Sequence, residues 1–338
     1  MKTAPIIALA FAALTFAAAP RLLAQDFKAY QNYDFVPGDR IVFEDDFRAD
    51  KDGEFPAHWK LIEGQGVVNQ MNGAPVFALT EGNYVKVEPR ITAKSYLGDL
   101  FTIEADFYAK DGNQLIMFLA SGDDTRNIHF KNEVSTEGLD HDLSATNKAE
   151  EESFDNKWHH LALVYNKGQV KCYEDQYRVL VVPDFGDFKP QSVQLGGTAD
   201  SDTPIVIRDV RIATGGGSNL IDTLTKNGRI VTHGILFDVN SSAVKPQSMG
   251  TISEVAAMLK SNAAIKVEIG GHTDADGDAA KNMTLSQQRA DAVKKLLVDQ
   301  GIDASRLTTK GYGATKPLDN NSTPEAKANN RRVEFAKQ

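Results

Sequence analysis

The chain has 338 residues, 41% of them hydrophobic, with a formal net charge of −9 at pH 7. This length exceeds what one hydrophobic core usually supports, so we expect two domains. The single cysteine, Cys172, excludes a disulfide within the chain. Residues 25–218 hold 19 Lys and Arg against 33 Asp and Glu, whereas residues 219–338 hold 16 against 13. The strongly acidic first part makes nucleic acid and anionic membranes poor partners for it.

The first 24 residues have the pattern of a secretory signal peptide. Lys2 precedes an apolar run over residues 5–19, and Ala24 is a small residue suited to cleavage. Residues 25–40 are polar and aromatic, which predicts a tether or a docked edge segment. No later segment is apolar over enough residues to cross a bilayer as a helix. We therefore expect an exported protein without a transmembrane helix.

Residues 41–213 have the pattern of an all-β domain. Residues 101–108 alternate strictly between apolar and polar side chains, the period of a strand with one buried face. Residues 115–120 are continuously apolar, as a central strand can be. Turn signals separate these from further predicted strands over residues 158–165, 169–175, 177–182 and 205–212. Many short strands at this spacing are typical of a sandwich or a barrel.

The segment W-H-H-L-A-L-V-Y-N-K-G-Q-V-K-C-Y-E-D-Q-Y, residues 158–177, resembles the hairpin of the laminin G-like, concanavalin A-type jelly roll. Residues 44–47 and 205–212 resemble the first and last strands of that sandwich. The resemblance implies a jelly roll that presents a site for a glycan or a protein. In related sandwiches, acidic residues of these two strands hold a structural calcium ion. The matching candidates are Asp45, Asp46 and Asp209, and a solvated acidic face is the alternative.

A glycan-acting enzyme is an alternative function for this domain. Glucan-cutting enzymes of the jelly-roll fold share a Glu-x-Asp-x-x-Glu strand. The nearest string here runs from Glu104 through Asp106 to Ala109, so it lacks the last carboxylate. Because glycoside hydrolysis needs two carboxylates that flank the bond, we expect a non-enzymatic protein that needs no cofactor.

Residues 214–219, T-G-G-G-S-N, predict a flexible linker, after which the pattern changes. Strands are predicted over residues 230–238, 265–269, 307–311 and 332–336. One helix is predicted from Pro246, and a second over residues 284–300. The second begins with a capping-box pattern, Thr284-x-x-Gln287, and stops at Gly301. This order predicts a small α/β domain over residues 220–338, with a βαβαββ order and helices on a mixed sheet.

Residues 267–293 place two opposite charges around one strand-loop-helix turn. A short apolar strand is predicted to run into a glycine turn at Gly270 and Gly271, then a loop with Asp274 and a helix with Arg289. A carboxylate can bind an ammonium, and a guanidinium can bind a carboxylate through two parallel hydrogen bonds. The pair therefore suits a zwitterionic ligand, and a surface ion pair of little energetic worth is the alternative.

The same domain resembles the OmpA-like peptidoglycan-binding domain. The resemblance rests on F-D-V-N-S-S-A-V-K-P (237–246), G-H-T-D (271–274), N-M-T-L-S-Q-Q-R-A-D-A-V (282–293), G-I-D-A-S-R-L (301–307), G-Y-G (311–313) and N-R-R-V-E-F (330–335). It implies binding to the diaminopimelate of the peptidoglycan stem peptide. The family's aspartate and arginine match Asp274 and Arg289, and its supporting asparagines match Asn240 and Asn282. The implied protein is a non-enzymatic envelope component of the outer membrane or periplasm.

A transmembrane protein is the remaining alternative. OmpA itself couples such a domain to an eight-stranded membrane barrel, and strand alternation alone does not distinguish that arrangement from a sandwich. The laminin-like hairpin favours the jelly roll. The sequence also lacks the paired aromatic girdles that flank the apolar band of a membrane barrel.

Overall fold

The computed structural model describes residues 33–147, 154–215 and 220–338. The predicted signal peptide (1–24), most of the predicted tether (25–32) and residues 216–219 of the predicted linker lie outside these ranges. Within the described residues, none of the helices combines the length and the apolar character that crossing a membrane requires.

The N-terminal domain consists of antiparallel strands. They are β1 (Arg40–Asp45), β2 (Trp59–Met71), β3 (Ala74–Pro89), β4 (Leu100–Ala109), β5 (Leu115–Ser121), β6 (Asp124–Phe130), β7 (Glu133–Glu137), β8 (Ser144–Thr146), β9 (Lys157–Asn166), β10 (Gln169–Glu174), β11 (Tyr177–Val182), β12 (Ser192–Ala199) and β13 (Ile205–Thr214). Hydrogen bonding follows the order β11-β10-β9-β4-β13-β3-β12-β5-β6-β7-β8, with β1 paired to β13 and β2 to β3. The large antiparallel region is confirmed, and the jelly roll itself stays a prediction.

The core of this domain follows from the alternation in the sequence. In β4, Phe101, Ile103, Ala105 and Phe107 are completely buried. Residues 115–120 of β5 are buried throughout, as their continuous apolar run predicts. Cys172 lies in β10 and is also fully buried, where it packs as a small apolar residue.

The three carboxylates of the predicted calcium site make other contacts. Trp59 Nε1 donates to Asp45 Oδ2 at 2.9 Å, and burial raises the pKa of Asp45 to about 6. Asp46 and Asp209 lie 3.3 and 3.8 Å from the guanidinium groups of neighbouring arginines. Nowhere in the described ranges do three or more His, Cys, Asp or Glu side chains form a group that could hold a metal ion. Asp45, Asp46 and Asp209 thus form no such group, and the calcium site stays a prediction.

The C-terminal domain has a mixed sheet with helices. Its elements are α1 (Leu220–Asn227), β14 (Arg229–Thr232), a 3-10 turn (Pro246–Ser248), α2 (Met249–Ser261), β15 (Val267–His272), α3 (Ala279–Asp299), a second 3-10 turn (Ala304–Arg306), β16 (Leu307–Gly313), α4 (Pro324–Asn330) and β17 (Val333–Lys337). The strand order is β14-β17-β15-β16, in which only β15 and β16 are parallel. The mixed sheet is confirmed, whereas α1 and α4 are additions to the predicted order.

Two local predictions in this domain are wrong. Gly270 and Gly271 form the end of β15 rather than a turn. A Cβ atom on Gly271 would lie 2.1 Å from the carbonyl oxygen of Ser286 in α3, so the glycine permits close packing of strand and helix. The helix begins at Ala279 rather than Thr284. Asp278 caps it by accepting a hydrogen bond from the backbone N–H of Lys281 at 2.8 Å.

The segment 33–39 lies between the two domains. Tyr33 and Phe35 are buried against Ala162 of β9 and Tyr173 of β10. On the other side, the Tyr33 hydroxyl donates to the carbonyl of Gln247 in the C-terminal domain at 3.1 Å. The part of the predicted tether that is described is therefore a docked segment.

A buried ionic cluster lies on the outer face of β4 and β9. His160 Nδ1 is 2.8 Å from Asp106 Oδ1, and its Nε2 is 3.4 Å from Glu104 Oε2. Burial alone would lower the pKa of His160, but the two carboxylates raise it to about 10. Both carboxylates of the partial Glu-x-Asp string thus contact one histidine.

Candidate ligand-binding site

The loop between β15 and α3 holds Asp274 in a fixed position. The Asp274 side chain is 14% exposed, and its Oδ1 accepts a hydrogen bond from the backbone N–H of Asp276 at 3.1 Å. The Asn282 amide, in the first turn of α3, donates to the carbonyl oxygens of Asp276 at 2.8 Å and Asp274 at 3.4 Å. Asn282 therefore orients the loop through its backbone, which suits the supporting role that the sequence predicts.

A second loop, residues 238–241, is held by Arg289. The Arg289 Nε donates to the carbonyl of Ser241 at 2.9 Å, and one terminal nitrogen donates to the carbonyl of Asp238 at 3.3 Å. The guanidinium also lies over the ring of Phe237, 4.8 Å from its centroid. Asn240 is exposed in this loop and adopts a left-handed φ of 56°. Asn282 thus contacts the Asp274 loop directly, whereas Arg289 contacts the backbone on either side of Asn240.

Asp274 and Arg289 are near each other, but each has other partners. Burial lowers the pKa of Arg289, the charge of Arg331 lowers it further, and the charge of Asp274 raises it. The ion-pair partner of Asp274 is Arg331, whose guanidinium lies 2.7 Å from Asp274 Oδ2. Two guanidinium groups and one carboxylate therefore converge here, and Asp274 with Arg289 can bind a ligand that carries an ammonium and a carboxylate.

Arg331 also contacts the N-terminal domain. Its second terminal nitrogen pairs with Oε2 of Glu44 in β1. The other oxygen of Glu44 accepts a hydrogen bond from Arg211 Nε of β13 at 3.0 Å. Burial alone would raise the pKa of Glu44, but Arg211 and Arg331 together hold it below its usual range. A continuous chain of charges, Arg211–Glu44–Arg331–Asp274, therefore runs from one domain to the other.

Sequence reasoning missed the roles of Arg331 and Glu44. The motif N-R-R-V-E-F contains an arginine pair, of which only one contacts Asp274. Arg331 is that one, whereas Arg332 is buried and donates to Glu334 Oε1 at 2.8 Å. Glu44 lies 287 positions from Arg331, so the sequence carries no signal for their contact.

A second polar loop supports the Asp274 loop. Asn330 is completely buried, and its side-chain oxygen accepts hydrogen bonds from the backbone of Leu318 and Asp319 at 2.7 and 3.0 Å. Its amide donates to Asn321 Oδ1 at 2.8 Å, and that oxygen also accepts the backbone N–H of Ala275 at 3.3 Å. The asparagine before the two arginines thus joins the loop 318–321 to the candidate site.

Comparison with known proteins identifies relatives of the C-terminal part. Residues 236–331 match the model of the OmpA family. The probable lipoprotein YiaD of Escherichia coli K12 is 43% identical over 122 residues, 36% of this chain and 52% of the relative. Outer membrane porin F of Pseudomonas fluorescens is 45% identical over 100 residues, 30% of this chain and 31% of the relative. The peptidoglycan-binding protein ArfA of Mycobacterium bovis is 30% identical over 176 residues, 46% of this chain and 54% of the relative.

Among solved structures, the peptidoglycan-associated lipoprotein from Burkholderia pseudomallei is 30% identical, with 31% of this chain and 88% of that chain aligned and a TM-score of 0.29. The chain spans about half or less of the length of these curated relatives. The family match covers the loop 238–241, the Asp274 loop, Arg289 and Arg331. The C-terminal segment of the chain, residues 236–331, is an OmpA-family domain.

Proposed function

We propose that this protein binds peptidoglycan noncovalently through the diaminopimelate of the stem peptide. Diaminopimelate carries a free ammonium and a free carboxylate on one carbon. In this proposal the ammonium binds the Asp274 carboxylate, and the carboxylate binds the Arg289 guanidinium through paired hydrogen bonds. Asn282 holds the Asp274 loop, and Asn240 contributes a polar side chain from the loop that Arg289 holds.

The observation that carries the proposal is the placement of Asp274 and Arg289. Neither side chain is anchored by the other. Asp274 is held by the backbone of Asp276 and by Arg331, and Arg289 is held by two backbone carbonyls. Asp274 and Arg289 nevertheless interact electrostatically: burial and the charge of Arg331 lower the pKa of Arg289, and the charge of Asp274 partly offsets that lowering. A ligand that carries both charges can therefore bridge them without first separating an ion pair between Asp274 and Arg289.

The relatives support a place in the cell envelope. Their names describe an outer-membrane porin, a lipoprotein and a peptidoglycan-binding protein. With the predicted signal peptide, we infer an exported, non-enzymatic protein of the outer membrane or periplasm. Its N-terminal domain, which we expect to be a jelly roll, would present a further surface to a glycan or a protein.

Co-sedimentation with purified diaminopimelate-type peptidoglycan tests the proposal. The full chain should sediment with the polymer, and Asp274→Asn and Arg289→Ala should each weaken the affinity at least about tenfold, the loss of roughly 1.4 kcal/mol or more that a charge-assisted contact provides. Lys295→Ala is the control, because Lys295 pairs with Asp299 on the exposed face of α3. Binding that survives both substitutions would refute the assignment of the site.

A further inference from the structure

The charge chain Arg211–Glu44–Arg331–Asp274 places a side chain of the N-terminal domain behind the candidate site. Side-chain exposure is 15% for Glu44 and 14% for Asp274, against 41% for Arg331, which lies between them. Arg211 fixes Glu44 from the opposite side and also donates to the carbonyl of His233 in the C-terminal domain, at 3.4 Å. Glu44 is thus held in place at the domain interface, with one oxygen directed at Arg331.

Arg331 is paired with the Asp274 oxygen to which the ammonium of an incoming ligand would also bind. The Arg331 guanidinium lies 2.7 Å from Asp274 Oδ2, while Oδ1 accepts the backbone N–H of Asp276. A ligand ammonium therefore competes with Arg331 for Asp274. The free energy of that exchange depends on which ion-pair partner Arg331 retains once Asp274 binds the ligand. A half-buried charge without a partner is unfavourable.

We propose that Glu44 is a positioning residue for peptidoglycan binding, which holds Arg331 while Asp274 binds the ligand's ammonium. The inference rests on the proposed function of the C-terminal domain. With Glu44 present, Arg331 loses only one of its two carboxylate partners on ligand binding. Without that charge, Arg331 depends on Asp274 alone and competes with the ligand more strongly. The N-terminal domain therefore sets the affinity of a site that lies in the C-terminal domain.

The contacts between the docked domains hold Glu44 and Arg331 in fixed positions. This favours a positioning role for Glu44 over that of an unconstrained surface ion pair. Asn329, two residues before Arg331, forms two hydrogen bonds of 3.0 Å with the backbone of Ile41 in the same strand as Glu44. The backbones that carry Glu44 and Arg331 are therefore held at a fixed separation. The Glu44 and Arg331 pKa values are shifted in opposite directions, lower for the carboxyl and higher for the guanidinium, as mutual stabilisation requires.

Calorimetric titration of the full chain with a soluble muropeptide that carries diaminopimelate tests the inference. Glu44→Gln should weaken binding about fivefold to tenfold, a range typical of energetic coupling between two positions. Arg331→Met removes the competitor and should bind at least as tightly as wild type. The double variant should bind like Arg331→Met, because Glu44 acts only through Arg331. Asp34→Asn is the control, since Asp34 pairs with Lys171 and Arg178 and lies away from this chain of charges.

Each outcome has one meaning. If Glu44→Gln weakens binding only by disturbing the domain interface, the double variant stays as weak as Glu44→Gln, which overturns the inference. Unchanged affinity in Glu44→Gln, or a loss of affinity in Arg331→Met alone, also overturns it. In those cases the proposed function stands, provided that the wild type binds and Asp274→Asn does not. Failure of the wild type to bind would remove both.

Discussion

The side chain of Asn329 in α4 hydrogen-bonds the backbone N–H and carbonyl of Ile41 in β1, as the backbone of a neighbouring strand would. The backbone N–H of Ile41 donates to Asn329 Oδ1 at 3.0 Å, and Asn329 Nδ2 donates to the carbonyl of Ile41 at 3.0 Å. Both residues are buried, at 6% and 2% exposure. One side chain therefore satisfies both backbone polar groups of Ile41 at the junction of the two domains.

Asn329→Ala should destabilise the junction. The substitution leaves a buried N–H and a buried carbonyl of Ile41 without partners, and each such group costs about 1–3 kcal/mol. We expect the free energy of unfolding, measured in urea, to fall by about 2 kcal/mol or more. Asn320→Ala, at an exposed position of the nearby loop, is the matched control. Equal stability of the two variants would mean that the domains do not depend on this contact.

Gly250→Ala should displace the docked segment 33–39. A Cβ atom at Gly250 in α2 would lie 2.1 Å from the carbonyl oxygen of Phe35, and a backbone atom cannot move aside as a flexible side chain can. We expect faster amide hydrogen exchange across residues 33–38 and a stability loss of about 1–3 kcal/mol. Gly98→Ala is the control, because a Cβ atom at Gly98 would have no other heavy atom within 4 Å among the described residues. Unchanged exchange in Gly250→Ala would contradict the close packing.

The strand-loop-helix unit of the site could be predicted from the sequence. Its apolar strand, its polar loop and the helix that carries Arg289 are local patterns, and the structure places Asp274 and Arg289 accordingly. The predicted helix start is wrong by five residues, because Asp278 is a better-placed cap than Thr284. Thr284 instead hydrogen-bonds the carbonyl of Ala280 inside the helix. A capping-box pattern alone does not say which of two nearby polar residues begins a helix.

The contacts that Arg331 and the docked segment make between the two domains could not be predicted from local sequence patterns. Periodicity indicates which face of an element is buried, but not which surfaces of two domains meet. Glu44 fits equally well on an exposed strand face and in a buried ion pair. The sequence leaves the same choice open for Glu104 and Asp106. Strand alternation predicts that both lie on the outer face of β4, but not whether that face is buried. The pairing of β4 with β9 places His160 opposite Asp106, and the docked segment buries Tyr33 nearby.

The His160 cluster predicts a pH-dependent contribution to stability. The folded-state pKa of His160, about 10, is above its value of 6.5 as an unperturbed group. A raised pKa means that the folded state favours the charged imidazole, so this stabilisation is complete below pH 6.5 and is lost as the pH rises to about 10. The difference in melting temperature between the wild type and His160→Asn should therefore shrink steadily from pH 6.5 to pH 10. Parallel profiles would show that His160 does not hold its charge between Asp106 and Glu104.

Gly271→Ala should damage both stability and binding, more than Gly270→Ala. The two glycines are adjacent in β15 and face opposite sides of the sheet. At Gly271 a Cβ atom would meet the Ser286 carbonyl at 2.1 Å, whereas at Gly270 it would approach the ring of Tyr312 at 3.1 Å. Because α3 carries Arg289 and β15 leads into Asp274, pushing them apart changes the distance between the two charges.

We expect Gly271→Ala to lose about 2–3 kcal/mol of unfolding free energy, at the upper end for overpacking, together with most of its peptidoglycan binding. Gly270→Ala should retain binding, because the side chain of Tyr312 can move. Equal effects of the two substitutions would show that close approach of strand and helix does not set the geometry of the site.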